Sequence, residues 1–337
     1  MLPKCKTFVS SVLSQLADNL VRTGDPLGFK SVYWTDWARG LDLPRGGDTV
    51  LFTARMYQML PYVAQTTGLV EQAKPFLSRK GFGQVINLGN RLAGEAILRL
   101  KASGSKDIKD KGEKTLRGIA TALALVGHKV GYLYEDEPYS GVLLHDLGLT
   151  DFVGPHAERV YKIFKDKGVK KVICVDPHTT NMLREVFPKY LPGYGLEVAH
   201  YLEVISPESE ALARAVKAAP AGDYVIHDPC VMARNLEMVS QSREVAQALG
   251  LSIIEPENAK KDTACCGGPI EYAFSDMSGM VSSIRIEELK ALSANILVNC
   301  PICLLNLAKY EKTSGLKVLD LGQVLYESLN ELPRGKP

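Results

Sequence analysis

An α/β fold built from two related halves, with a helical segment ahead of them, is what the sequence predicts, and three observations predict it. From residue 47 onward, short runs rich in β-branched and aliphatic residues alternate with amphipathic stretches, the pattern of layered α/β proteins. Three segments of the first half recur in the second in the same order. Five of the seven cysteines fall in the last third of the chain, each where a predicted strand gives way to a turn or helix.

Residues 1–45 form the N-terminal segment. Val9, Val12, Leu13, Leu16 and Leu20 recur at helical spacing. Ser10, Ser11, Gln15, Asp18 and Asn19 interrupt the continuous apolar core that a secretory signal requires, so an amphipathic helix is expected. The stretch S-V-Y-W-T-D-W-A-R-G-L-D-L-P then carries both tryptophans, Trp34 and Trp37, which suit either a docking patch or buried packing.

Strands are expected at 49–53, 129–134, 171–175, 224–227, 251–254 and 295–298, and helices at 87–100, 115–125, 156–165, 242–249 and 281–292. Two stretches read as loops. Residues 101–114 mix charges with Gly and Ser, which suits a solvated connector, and 218–223 hold Pro and Gly near the join between halves.

The repeat sets the domain organisation. G-D-T-V-L-F from Gly47 matches G-D-Y-V-I-H from Gly222. K-V-I-C-V-D-P-H-T-T-N-M-L from Lys171 matches N-I-L-V-N-C-P-I-C-L-L-N-L from Asn295, and G-L-E-V at Gly195 matches G-L-K-V at Gly315. The predicted organisation is a helical segment over 1–45 and two Rossmann-like α/β halves with small, mostly parallel sheets, over 46–205 and 206–330. Superposing the halves puts Arg55 where the second has Cys230, Tyr139 and Ser140 where it has Cys265 and Cys266, and Asp176 and Thr179 where it has Cys300 and Cys303.

Composition narrows the function. At 337 residues and 46% apolar content the chain can bury a sizeable core. Lys plus Arg number 40 against 38 Asp plus Glu, so the basic surface of a nucleic-acid binder is missing. No apolar run reaches the eighteen or so residues of a membrane span. With no export signal in the sequence, a cytoplasmic, reducing compartment is expected, where cysteines serve as metal ligands rather than disulfides.

Thirty-four residues separate Cys230 from the adjacent pair Cys265 and Cys266, and thirty-three separate that pair from Cys300, which opens C-P-I-C with Cys303. Thiolate sulfur is a soft ligand for zinc or iron–sulfur clusters. Strand ends meet at one edge of an open α/β sheet, so three separate segments can converge. Gly267 and Gly268 lack side chains, which lets their amides approach an anionic group. Four thiolates satisfy a tetrahedral zinc and leave the fifth without a role, so five argue for something larger.

The pattern C-x34-C-C-G-G-x31-C-P-x-C, preceded by H-D-P, resembles the cysteine-rich CCG domain of the heterodisulfide reductase B subunit. Related domains occur in iron–sulfur subunits of glycolate, lactate and anaerobic glycerol-3-phosphate oxidases. The resemblance covers about 46–330. It implies that Cys230, Cys265, Cys266, Cys300 and Cys303 hold one non-cubane [4Fe-4S] cluster, with zinc as the alternative metal. In heterodisulfide reductases proper both halves carry such a cluster; here the first half departs from that pattern at every ligand position. The family's ferredoxin-like C-x2-C-x2-C-x3-C motif is absent too, so the resemblance implies a multi-subunit complex with a ferredoxin-like iron–sulfur subunit and a flavoprotein.

The function so implied is that of an iron–sulfur oxidoreductase subunit passing electrons to or from a thiol, a disulfide or another acceptor, with membrane attachment only through partners. Two alternatives stay open: an electron relay in a flavin-linked hydroxy-acid or glycerol-phosphate dehydrogenase, and a scaffold with structural zinc. His227, three residues before Cys230, suits either a hydrogen bond to a cluster sulfur or simple satisfaction at the strand end. Arg55, Tyr139, Ser140, Asp176, His178 and Thr179, with His200 near, form either a polar pocket or a set of residues that satisfy one another. The run Glu135, Asp136, Glu137 reads as a solvated face. Cys5 and Cys174 lie outside the motif, Cys174 in an apolar strand suited to the core.

Overall fold

A computed structural model of the chain describes residues 3–29, 31–65, 105–268, 270–272 and 274–329. The helix expected at 87–100 lies outside these residues. Helix α1 (Pro3–Thr23) matches the expected amphipathic segment and buries Leu16, Ala17 and Leu20. After it the chain turns around the carboxylate of Asp25, which is fully buried and accepts hydrogen bonds from Leu27 N at 2.9 Å and from Trp34 Nε1 at 3.1 Å. Arg55 closes a buried ion pair with the same carboxylate at 2.8 Å. Both tryptophans are core residues: Trp34 stacks on Phe29 with ring centroids 5.5 Å apart, and Trp37 donates to Tyr132 Oη at 3.2 Å.

Two small parallel sheets follow. The first has the order β1-β2-β3, with β1 (Thr49–Phe52), β2 (Lys171–Cys174) and β3 (Glu197–His200). The second has the order β5-β4-β6-β7, with β4 (Asp223–Ile226), β5 (Ser252–Ile254), β6 (Asn295–Val298) and β7 (Lys317–Asp320). Val50, Leu51 and Phe52 in one sheet and Ile296, Leu297 and Val298 in the other are wholly buried, as apolar runs in a parallel sheet covered on both faces should be.

The repeat seen in the sequence recurs as identical register. Thr49 pairs with Lys171 and Lys171 with Glu197; their counterparts Tyr224, Asn295 and Lys317 pair in the same way. The strands β3 and β7 carried no strand signal beyond the repeated G-L-E-V and G-L-K-V, since each holds only two aliphatic residues between polar ends. The strand expected at 129–134 forms only isolated bridges, Gly131 to Val50 and Tyr132 to Arg45. It lies beside β1 as β5 lies beside β4. Gly131 passes so close to Gly46 that a Cβ would sit 1.7 Å from its carbonyl oxygen, and Tyr134 at φ 51° then turns the chain out of the sheet.

Residues 106–114, expected as part of a solvated connector, instead begin a long helix, α2 (Lys106–Leu125). Their mixed charges belong to its outer face, where Lys114 pairs with Asp110 at 2.9 Å and Lys109 with Glu113 at 3.4 Å, both at i,i+4 spacing. Thr115, Leu116, Ile119 and Leu123 point inward. Further on come α3 (Val142–Asp146), α4 (Thr150–Asp166), α5 (Pro177–Asn181), α6 (Tyr201–Ile205), α7 (Gln241–Ala248), α8 (Ser275–Lys290), α9 (Pro301–Ala308) and α10 (Leu321–Ser328). Residues 218–222 are irregular, as expected, and lead into β4.

The halves are locked by α2 of the first lying on α10 of the second. The crossing is at Gly118 and Gly322, where a Cβ on Gly118 would fall 1.9 Å from the Gly322 carbonyl oxygen. Gly118→Ala should therefore lower the unfolding free energy by about 3 kcal/mol through overpacking. Urea denaturation measures this, and a change below about 0.5 kcal/mol, the range of a neutral surface substitution, would contradict the tight crossing.

Candidate metal centre

The strands β4 and β6 are hydrogen-bonded neighbours, with Ile226 opposite Leu297. Running parallel, they deliver His227–Cys230 and Asn299–Cys300 to the same sheet edge. Cys300 is the N-cap of α9, Pro301 occupies its first turn, and Cys303 lies one turn further in. Cys265 and Cys266 arrive on a loop anchored at several points. Thr263 Oγ1 donates to Asp228 O at 2.8 Å, Arg234 Nη2 to Thr263 O at 2.6 Å, and Asn306 Nδ2 to Cys266 O.

All five thiols meet. Cys230 contacts Cys265, Cys265 contacts Cys266, Cys266 contacts Cys303, and Cys303 contacts Cys300. None is oxidised, and exposure falls from Cys265 at the surface through half-buried Cys230 to Cys266, Cys300 and Cys303 in the interior. Protons are shared unequally along this chain. Cys265 is held well below the usual thiol range because Cys230 and Cys266 donate to it, against its burial and with help from the Gly267 amide. At Cys300 burial opposes ionisation, but hydrogen bonds from Cys303 and His178 outweigh it and lower the pKa. The thiols of Cys230, Cys266 and Cys303 are raised, each first by the neighbour it donates to.

Both glycines serve close approach. Gly267 N donates to Cys265 Sγ at 3.3 Å, and at φ 87° a Cβ would lie 2.5 Å from Ser278 O. At Gly268 a Cβ would lie 2.3 Å from Ile302 Cγ2.

His227 is buried, and its ring shares a group with Cys266 and Cys303 in which the potential ligand atoms lie within 4.8 Å of one another. Its Nδ1 accepts from Arg285 Nε at 3.0 Å, which puts the ring proton on Nε2. That Nε2 has no hydrogen-bond partner among the described residues. Burial, then the neighbouring guanidinium, lowers the His227 pKa to about 3, so the ring is neutral. Arg285 is itself fully buried and pairs with Glu288 at 2.6 Å.

Sequence reasoning missed Arg285 and Asn306, because an arginine or asparagine on a helix reads as solvent-facing, and it gave Asp228 no role beyond its place in H-D-P. Helix α8 turns Ser278, Ser282 and Arg285 inward and leaves Met277, Met280 and Ile284 exposed, the reverse of ordinary amphipathic patterning.

The polar residues of the first half mostly satisfy one another. Ser140 Oγ and Thr179 Oγ1 lie 3.3 Å apart, and Thr179 N donates to Asp176 Oδ1 at 2.9 Å. Their counterparts Cys266 and Cys303 are likewise in contact, and Cys303 N likewise donates to Cys300. Tyr139 Oη accepts from Leu143 N at 3.0 Å, and His200 caps α6 through Leu202 N at 3.3 Å. Cys174 is wholly buried at the end of β2.

His178 behaves differently: it reaches across to Cys300. The acidic run also needs correction. Glu135 and Asp136 are exposed and pair with Arg45 at 2.8 Å and Lys167 at 2.5 Å, but Glu137 is buried. It accepts from Thr53 N at 2.7 Å, Thr53 Oγ1 at 2.6 Å and Tyr132 Oη at 3.1 Å, so it serves the strand end rather than a solvated face. Arg55, Glu137 and His156 line a cavity with Arg159 and Lys167.

Burial pushes the Glu137 carboxyl from an ordinary 4.5 up to about 7, although its donors pull it down. The protonated form is thus favoured by folding. The contribution is complete below pH 4.5 and is lost as pH rises through 7. Glu137→Gln should remove up to about 1.4 kcal/mol per pH unit from the slope of stability across that window. Urea midpoints measured across it test this, and an identical slope in both proteins would contradict the buried acid.

The model of the CCG cysteine-rich domain matches residues 224–308, from within β4 to the end of α9, and this segment is such a domain. Over 269 residues the chain is 26% identical to the EtfAB:quinone oxidoreductase of Syntrophomonas wolfei, covering 75% of this chain and 37% of that protein. It is 25% identical to the probable iron-sulfur-binding oxidoreductase FadF of Bacillus subtilis, covering 70% of this chain and 34% of that one. It is 22% identical to a probable membrane-anchored ferredoxin of Chromohalobacter salexigens, covering 96% and 43%. The chain thus spans less than half the length of the curated relatives it matches. Among the described residues no helix is long and apolar enough to cross a membrane.

Proposed function

We propose that this chain is an iron–sulfur subunit of a heterodisulfide-reductase-like oxidoreductase complex, in which Cys230, Cys265, Cys266, Cys300 and Cys303 hold one non-cubane [4Fe-4S] cluster. The observation that carries the reading is the unbroken contact chain of five reduced thiols drawn from three segments. The donor set fits an iron–sulfur group: five soft sulfurs, an amide donor at Gly267, and an unpartnered N–H at His227 within reach of the interior cysteines. Bound there, the cluster would supply one-electron transfer.

The protein's own residues set the conditions for it. Interior Cys266, Cys300 and Cys303 exclude water, exposed Cys265 faces the surface, and the Gly267 amide and the His227 Nε2–H offer donors to anionic sulfur, which raises a reduction potential. Arg285 and Glu288 hold the His227 ring in the tautomer that donates. Since none of the corresponding positions in the first half is a cysteine, a single cluster belongs to residues 206–330, and 46–205 form a cluster-free half behind the segment 1–45.

We take the electron partners to be a ferredoxin-like iron–sulfur subunit and a flavoprotein. The matched relatives, with names such as quinone oxidoreductase and ferredoxin, support a redox complex of this kind. Those same names favour, as a second reading, a relay in a flavin-linked dehydrogenase with no sulfur substrate of its own. We place the subunit in the cytoplasm, with partner subunits as its means of attachment to a membrane.

Anaerobically purified protein should contain about four irons per chain with matching sulfide, and Cys265→Ser or Cys266→Ser should abolish or convert the cluster's paramagnetic signal. Zinc alone, or an intact signal in either variant, sinks the assignment. Adding disulfide to the reduced protein separates the two readings: a perturbed signal supports sulfur chemistry at the cluster, whereas an unaltered one leaves the relay.

A further inference from the structure

The two halves meet at the metal centre, and one side chain crosses between them. Helix α5, which follows β2 in the first half, packs against the helical turn Val231–Asn235 that follows Cys230 in the second. From α5, buried His178 places Nδ1 2.7 Å from Asp146 Oδ2 at the end of α3 and makes a side-chain hydrogen bond with Cys300. Asp146 is held in turn by His145 at 3.0 Å. By the repeat, His178 corresponds to Ile302, so it is not a relic of a lost ligand.

We infer that His178, oriented by Asp146, donates a hydrogen bond from the cysteine-free half to the sulfur of Cys300 and thereby raises the reduction potential of the centre. The inference rests on the cluster reading of the preceding subsection. A metal-bound thiolate has no proton to give, so in the loaded protein the ring nitrogen facing Cys300 must be the donor. The other nitrogen faces the Asp146 carboxylate at 2.7 Å, which fixes the orientation of the ring. A hydrogen bond donated to a ligand sulfur offsets its negative charge and so favours the reduced state, which carries one more negative charge.

His178 is a positioning residue on this account: it touches a ligand, not a substrate.

The test is a redox titration, followed by paramagnetic resonance, of the iron-loaded protein and of His178→Gln and Asp146→Asn. Both variants should keep their iron and show a lower midpoint potential, by a tenfold or larger change in the oxidised-to-reduced ratio, which is about 59 mV for one electron. With 15N-histidine labelling, His178→Gln should also lose one nitrogen coupling to the reduced centre. If His178→Gln does not load iron, Asp146→Asn, which keeps the ring and its volume, decides by the same potential shift. Iron-loaded variants with unmoved potentials overturn the inference alone; wild-type protein without iron overturns both it and the reading beneath it.

Discussion

The structure depends on a single convergence: two neighbouring parallel strands, β4 and β6, end at one sheet edge and deliver thiols there, while a loop brings two more from the side. Sulfur atoms packed against one another are tolerable only if protons are shared among them or a metal neutralises them. The first of these is seen directly. Thiols donate to the thiolates of Cys265 and Cys300, and amide and imidazole donors surround them. Much of what lies around the edge serves this constraint. Asp228 and Thr263 pin the loop, Asn306 holds the Cys266 carbonyl, and α8 turns polar residues inward to brace His227.

The first half shows what the same frame does without the five cysteines. Its register is identical, and the contacts at the sheet edge survive in other chemistry: a Ser140–Thr179 hydroxyl pair stands for a Cys266–Cys303 thiol pair, and the Asp176 cap stands for Cys300. Arg55, in the place of Cys230, is neutralised by Asp25 with backbone at φ 65°, a left-handed conformation uncommon for an arginine. Breaking such a buried pair typically costs about 3–5 kcal/mol, so Arg55 is tied to Asp25 as firmly as a core contact. The site has become a hydrogen-bonded structural joint, and His178 extends that joint to the thiols.

Much of this was legible in the sequence. Three repeated segments, and cysteines following the two predicted strands 224–227 and 295–298, indicated the α/β class, the duplication, the paired register and the residues that meet; the Cys265–Cys266 pair, expected at a strand end as well, instead arrives on a loop. What was not legible follows from features that alternation patterns do not encode. The strands β3 and β7 hold only two aliphatic residues each between polar ends, and α2 begins in a charged stretch whose i,i+4 ion pairs look like a loop when read linearly. Glu137 is buried because a strand end 84 positions away needs an acceptor. The His178–Cys300 contact joins residues 122 positions apart in different halves, and no local pattern reports it.

The central claim, that five cysteines of the second half hold one iron–sulfur centre, is tested most directly by X-ray absorption at the iron edge of anaerobically purified protein. The account predicts iron surrounded by sulfur alone, with a short iron–iron vector that disappears in Cys300→Ser. Iron bound by nitrogen or oxygen, or an absorption edge of zinc with four sulfur neighbours at about 2.3 Å, would contradict it.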